Sequence, residues 1–216
     1  MKYILMDLDG TLTNPKVGIT KAIQYALKAK NIIEPDLDNL CKYIGPPLWE
    51  SFKEFHGLND QETEEAIAKY REYYSVTGLY ENEKYDGIEE LLIKLVQAEK
   101  VLIVATSKPE VFARKILEKF ELAKYFTDIC GATLDSSRST KEAVISYALE
   151  KNCIEDLSSV VMVGDRLHDI EGARAVGLPA VGVLYGFGNR DELVSAGADK
   201  IADTVEDLYE IITSYA

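Results

Sequence analysis

The chain has 216 residues, of which 47% are hydrophobic and 28% charged, enough apolar material for a sizeable core and too much for wholesale disorder. At about 150 residues per domain, that length suggests one large domain or a core carrying a smaller insert, not an array of modules. With 24 Lys and Arg against 37 Asp and Glu the net charge is −13, so the overall field repels nucleic acid polymers and anionic membrane surfaces, and an anionic substrate needs a local positive site such as a bound cation.

Residues 2–6 form a short apolar run that stops at a cluster containing Gly10, the pattern of a buried parallel strand ending in a functional loop. The run gives way at once to Asp7 and Asp9, whereas a signal peptide would continue with a longer apolar region. Nowhere do about 18 consecutive apolar residues suggest a membrane helix. From Pro15 to about Tyr80 no strand-like run occurs. Ile19, Ala22, Ile23, Ala26 and Leu27 make one helical stripe, and residues 48–55 and 63–74 read as further helices, so this stretch is predicted as an all-helical insert. Asn14-Pro15 and the turn-prone residues 77–87 mark its ends. Beyond it, Ile88, Leu91, Leu92, Leu95 and Val96 recur at helical spacing. Residues 101–105 and 160–163 are two more strong strand runs, and 128–131 and 180–183 are weaker ones. Alternating strands and helices predict an α/β fold with a parallel sheet, whose active groups sit at the strands' carboxyl ends. Cys41, Cys130 and Cys153 are widely separated and form no CxxC pair, which fits reduced thiols in a cytoplasmic protein.

Four signals fall at such strand ends or in the loops after them. Asp7-Leu8-Asp9-Gly10-Thr11 follows the first strand; a loop there can turn both carboxylates toward one pocket, one as nucleophile and one as general acid and base, while Gly10 permits a tight turn and close approach of backbone N–H groups to an anion. The bland alternative is a surface turn with capping aspartates. Thr106-Ser107-Lys108-Pro109 offers a hydroxyl and backbone N–H groups before a helix, as phosphate cradle or as ordinary N-cap. Asp165 and Asp169, four residues apart at a helix start, can hold a hard divalent cation, or Asp165 can simply cap the helix. Lys141 lies ahead of the helical stripe Val144, Ile145, Ala148, and a lone lysine there is usually solvated.

In this order the four resemble the motifs of the haloacid dehalogenase superfamily of phosphotransferases: DxDGT as residues 7–11, a hydrophobic strand then Thr as 101–106, the lysine as Lys141, and GDxxxD as 164–169. The resemblance covers almost the whole chain. It implies a Rossmann-like three-layer parallel-sheet core, residues 1–14 and 81–216, with an inserted helical cap, residues 15–80. The cap's place, with Ile44-Gly45-Pro46-Pro47-Leu48, Gly87-Ile88 after Tyr85, and residues 182–186, looks like the subgroup of phosphoglycolate phosphatases and 5′-nucleotidase-like phosphatases, the latter more so. Dehalogenases lack the second aspartate, so Asp9 argues against carbon–halogen cleavage. By the same resemblance Asp7 would attack phosphorus, Asp9 would protonate the leaving group and later activate water, and Mg²⁺ would be held by the Asp7 carboxylate, the Asp9 carbonyl and Asp165, with Asp169 directly or through water. Thr106, the N–H groups of Ser107 and Gly10, and Lys141 would bind the phosphoryl oxygens.

The implied substrate is a small phosphorylated metabolite, with nucleoside 5′-monophosphates preferred over phosphoglycolate or pyrophosphate. An idle phosphometabolite-binding protein should have lost at least one of Asp7, Asp9, Lys141 or Asp165, and all four are present. Transfer to a second alcohol and a monomeric or dimeric state both stay open. Gly45 with Pro46 and Pro47 reads as a specificity loop or a plain helix-to-helix turn, and Tyr43, Trp49 and Phe52 as base-stacking groups or cap core. His168 reads as a solvated neighbour of the metal site, Gly186-Phe187-Gly188 as a flexible loop near it, and Arg138 and Arg166 as substrate contacts or, more commonly, partners of surface carboxylates.

Overall fold

Short β-branched and aliphatic runs, each closed by Asp, Gly or a turn, set the strand pattern. In the computed structural model, which describes residues 1–215, the strands are β1 (Tyr3–Met6), β2 (Thr13–Asn14), β3 (Glu83–Lys84), β4 (Val101–Pro109), β5 (Asp128–Ala132), β6 (Val160–Gly164), β7 (Ala180–Val183) and β8 (Lys200–Ala202). The α-helices are α1 (Lys16–Ala29), α2 (Leu48–His56), α3 (Asp60–Tyr74), α4 (Ile88–Gln97), α5 (Glu110–Lys119), α6 (Lys141–Lys151), α7 (Leu167–Ala175), α8 (Arg190–Ala196) and α9 (Val205–Ser214). No helix among the described residues is long and apolar enough to cross a membrane.

Two compact units result: Met1–Asn14 with Lys84–Ala216, and Pro15–Glu83. The second unit runs three residues past the predicted end at 80, because Glu81 is tied into it. The Glu81 carbonyl accepts from the Gly18 N–H, and its carboxylate pairs with Lys21 at 2.6 Å. Within this helical unit, α1 packs on α3 and on the 3₁₀ turn Asp38–Tyr43. Tyr43 lies with its ring 5.2 Å from Phe52 and 5.1 Å from Phe55. Tyr43 and Phe52 are thus core, as the plainer reading had it, while Trp49 stays 38% exposed.

The first unit holds a six-stranded parallel sheet in the order β5-β4-β1-β6-β7-β8. Alternate side chains of a strand face opposite sides. Leu5, Ile103, Met162 and Ala180 pack with Val144 and Ala148 of α6, Ile170 and Ala173 of α7, and Leu193 of α8. The intervening Ile4, Met6, Leu102, Val104, Val161, Val163 and Val181 are buried too, as are Leu92 and Leu95 of α4 and Leu208 and Ile212 of α9; α4 and α9 pack on each other and against β4 and β8 respectively. Helices on both faces of an apolar sheet make the three-layer α/β architecture.

The strand order reverses at β1, which pairs with β4 on one side and β6 on the other; Met6 aligns with Val104 and with Val163. A reversal of this kind opens a crevice at the carboxyl ends of the strands. Asp7, Thr106 and Asp165 are the residues that β1, β4 and β6 deliver there.

Candidate active site

The loop after β1 is a tight reversal. Asp7 still donates its N–H to the Val163 carbonyl at 2.9 Å, and the Leu8 carbonyl then accepts from the N–H groups of Thr11, Leu12 and Thr13 at 3.3, 2.9 and 3.0 Å. Gly10 takes φ +84°, and a Cβ there would lie 2.1 Å from Asp165 Oδ2, so only glycine suits both the backbone and the space. The Gly10 N–H donates to the Thr13 carbonyl at 2.8 Å. That amide is hydrogen-bonded within the loop, and the close approach to Asp165 gives Gly10 a steric part. Gly10→Ala is expected to cost about 1–3 kcal/mol, a fall of about 3–10 °C in the unfolding midpoint at this chain length. An unchanged thermal melt would show that the loop yields and that the contact is not tight.

The segment after residue 105 differs from its predicted form. Strand β4 continues to Pro109, with a register shift against β5 between Thr106 and Pro109. Pro109 precedes α5 without a side-chain cap bond, so the N-cap reading of this segment is not the one adopted. The Thr106 hydroxyl instead accepts from the Lys108 N–H at 3.2 Å. Thr106 and Lys108 are both buried, and Ser107 between them is half-buried, the period-2 pattern of one strand face.

Lys141 opens α6 behind the cap Thr140, whose hydroxyl accepts from the Ala143 N–H. Far from being solvated, its ammonium is buried. It lies 2.8 Å from Asp7 Oδ1 and 2.6 Å from Asp169 Oδ1, and it donates to the Ala105 carbonyl at 3.1 Å. Burial alone would lower its pKa, but Asp169 and Asp7 outweigh burial and hold it raised.

Asp165 follows β6 and does not cap α7. Its Oδ2 accepts from the Phe187 N–H at 2.7 Å. Asp169, in the first turn of α7, accepts from the Arg166 N–H at 3.1 Å and so supports the helix start itself. Residues 186–188 are therefore part of the site and not merely near it: a Cβ at Gly186 would lie 2.4 Å from Asp165 Cβ, and one at Gly188 would lie 1.9 Å from the Asp165 carbonyl oxygen. This packing was missed in the sequence, where only the glycine spacing signals a close approach. Nearby, the Tyr185 hydroxyl donates to the Thr11 carbonyl at 3.2 Å, and its ring meets Tyr85 edge-on at 5.2 Å.

Oxygens of Asp7, Asp165 and Asp169 lie within 4.8 Å of one another. Asp9 lies 2.5 Å from Lys108 through Oδ2, and the buried Oδ1 atoms of Asp9 and Asp165 have no hydrogen-bond donor. Hard oxygen donors gathered this closely, with buried oxygens left without a donor, fit a divalent cation. Burial raises the Asp9 pKa against the pull of Lys108. Burial, with Asp169 and Asp7 nearby, raises Asp165 well above the usual carboxylate range. Burial also raises Asp169, to about 6, despite Lys141.

Of the remaining candidates, Arg166 pairs through Nε with Glu192 Oε1 at 2.8 Å. Arg138 donates to the Gly131 carbonyl at 2.9 Å and lies 3.6 Å over the Tyr147 ring. His168 is half-buried, and burial lowers its pKa.

Residues 4–183 match the haloacid dehalogenase-like hydrolase family. A 5′-nucleotidase from Pseudomonas aeruginosa is 47% identical over 190 residues, 88% of this chain and 86% of that one. The tyrosine-protein kinase PtkA of Mycobacterium tuberculosis is 38% identical over 214 residues, 98% of this chain and 72% of that one. Among solved structures, a predicted phosphatase from Clostridium acetobutylicum superposes with a TM-score of 0.96 at 46% identity, covering 98% of both chains.

Proposed function

This chain belongs to the haloacid dehalogenase-like hydrolase family and is a phosphatase enzyme, and we propose that it hydrolyses nucleoside 5′-monophosphates, with Mg²⁺, through an aspartyl-phosphate on Asp7. The observation that carries this reading is the convergence of Asp7, Asp9, Thr106, Lys141, Asp165 and Asp169 on the carboxyl ends of three adjacent strands. The substrate class is supported by the 47% identity with a 5′-nucleotidase.

Asp7 Oδ attacks phosphorus as the bond from phosphorus to the leaving oxygen breaks, and Asp9 gives its proton to that oxygen, so a neutral alcohol departs. The raised Asp9 pKa suits a group that must start protonated. In the second half Asp9 takes a proton from water, the hydroxide oxygen bonds to phosphorus, and the acyl-phosphate bond breaks. Phosphate leaves, Asp7 is again a carboxylate, and Asp9 is again an acid. Lys141, 2.8 Å from Asp7 Oδ1, orients Asp7, and Thr106 with the Ser107 N–H donates to the phosphoryl oxygens. Asp7, the Asp9 carbonyl, Asp165 and Asp169 would hold Mg²⁺, which supplies charge neutralisation for the phosphoryl group when bound. Residues 15–83 are proposed as the cap and the cytoplasm as the location.

A panel of nucleoside 5′-monophosphates, phosphoglycolate, pyrophosphate and p-nitrophenyl phosphate, assayed for released phosphate, tests the assignment. The nucleotides are expected to show a kcat/KM at least about tenfold above the other biological esters, a margin of about 1.4 kcal/mol in transition-state binding. Preference for phosphoglycolate or pyrophosphate would move the substrate class. Transfer to an added alcohol or tyrosine hydroxyl without net phosphate release would overturn hydrolysis.

A further inference from the structure

Two buried lysines divide the acidic cluster between them. Lys141 serves Asp7 and Asp169, whereas Lys108 reaches Asp9, 2.5 Å from its Oδ2, with only 5% of the Lys108 side chain and 13% of the Asp9 side chain exposed. We propose that Lys108 is a positioning residue for Asp9: it pins Oδ2, so that the unpartnered Oδ1 is the oxygen that carries the proton to the leaving group. The inference rests on Asp9 being the acid of the reaction proposed above.

The backbone is shaped to deliver this contact. The register shift in β4 falls between Thr106 and Pro109, and the Lys108 N–H is fastened to the Thr106 hydroxyl, which sets both residues on one face. Gly131 in the neighbouring β5 makes room for the bulge, since a Cβ there would lie 2.7 Å from the Lys108 carbonyl oxygen and 2.7 Å from the Glu110 nitrogen. A carboxyl group with both oxygens free can turn about its last bond, and only one rotation aims a proton at the departing oxygen. Holding one oxygen against the buried Lys108 ammonium removes that freedom before substrate arrives and leaves the other oxygen for the proton. In the step itself the proton leaves Asp9 Oδ1 for the alkoxide as the Asp7–phosphorus bond forms and the phosphorus–alkoxide bond breaks. Asp9 is left as a carboxylate and the alcohol leaves neutral.

The test compares kcat/KM, which reports the steps through formation of the phospho-enzyme, for an alkyl phosphomonoester and for p-nitrophenyl phosphate, whose phenolate leaves without a proton. Lys108→Met is expected to lower the alkyl value about 100-fold and the aryl value less than about threefold, the retained aryl activity showing that the protein is folded. Lys108→Arg is expected to restore the alkyl value to within about tenfold of wild type. Placed on Asp9→Asn and assayed at high enzyme concentration, Lys108→Met is expected to add less than about threefold to the loss, because a residue acting through Asp9 has nothing left to orient. Equal losses on both esters, or full additivity on Asp9→Asn, would overturn the positioning role while leaving Asp9 as the acid. Unchanged alkyl turnover by Asp9→Asn alone would overturn both.

Discussion

Exchanging Asp7 for Asn is expected to reduce phosphate release at least about 10⁴-fold, or more than about 5 kcal/mol of transition-state stabilisation, with the fold intact. The amide matches the carboxylate in size at a site only 6% exposed but cannot form the acyl-phosphate. Losing one partner of a buried ion pair usually costs about 3–5 kcal/mol because the other charge is stranded. Here Lys141 keeps Asp169 at 2.6 Å and the Ala105 carbonyl at 3.1 Å, and removing one of four crowded carboxylates relieves repulsion on Asp165 and Asp169. Those effects oppose one another, so the unfolding midpoint is expected to stay level or rise, as it commonly does when an active-site charge is neutralised. Phosphate release and a thermal melt on the same preparation check both halves. Acid-quenched mass spectra should show a phosphoryl adduct on wild type and none on the variant. Turnover within about tenfold of wild type would remove Asp7 as nucleophile.

The parts of this site that could be read in the sequence are those in which a charged or small residue directly follows an apolar strand. Asp7, Thr106 and Asp165 were legible because residues 2–6, 101–105 and 160–163 are strands by composition, and the carboxyl ends of parallel strands are where such sheets place their active groups; each residue alone also read as a turn or a cap. Lys108 was not, because a lysine two residues beyond a strand run reads as surface. Only the continuation of β4 to Pro109 and its shift against β5 turn it inward, and that register is set by the neighbouring strand. The packing of residues 186–188 on Asp165 was hidden for the same reason, as it depends on loops far apart in the chain. Strand β8, Lys200–Ala202, has three residues, one of them charged, too few to show an apolar period. The interruption by helices was plain from the missing strands between Pro15 and Tyr80, but its last residues were fixed by Glu81's contacts to Gly18 and Lys21, which no local pattern announces.

Chelation is expected to abolish turnover and to destabilise the protein in a manner that depends on pH. Asp165 and Asp169 titrate above the ordinary carboxylate range in the cation-free fold, Asp169 near about 6, whereas the unfolded chain releases those protons near about pH 4. A raised carboxyl pKa contributes stability that is fully present below the unfolded value and is lost as pH climbs through the folded one. The cation-free protein therefore gives up stability between about pH 4 and 6, and further above that for Asp165. Holding a divalent cation requires both groups as carboxylates, so binding expels the same protons and strengthens over the same window. At a Mg²⁺ concentration of about 100 times its Kd the bound ion adds about 2.7 kcal/mol, or about 5–10 °C in the unfolding midpoint for a chain of this size. The difference between melts with Mg²⁺ and with chelator should be near zero at pH 5 and reach that value at pH 7.5. Asp165→Asn should erase it at both. A shift of equal size at the two pH values would mean that the ion binds elsewhere than at these buried carboxyls, and no shift at either would mean that Lys108 and Lys141 are the only counter-charges the cluster uses.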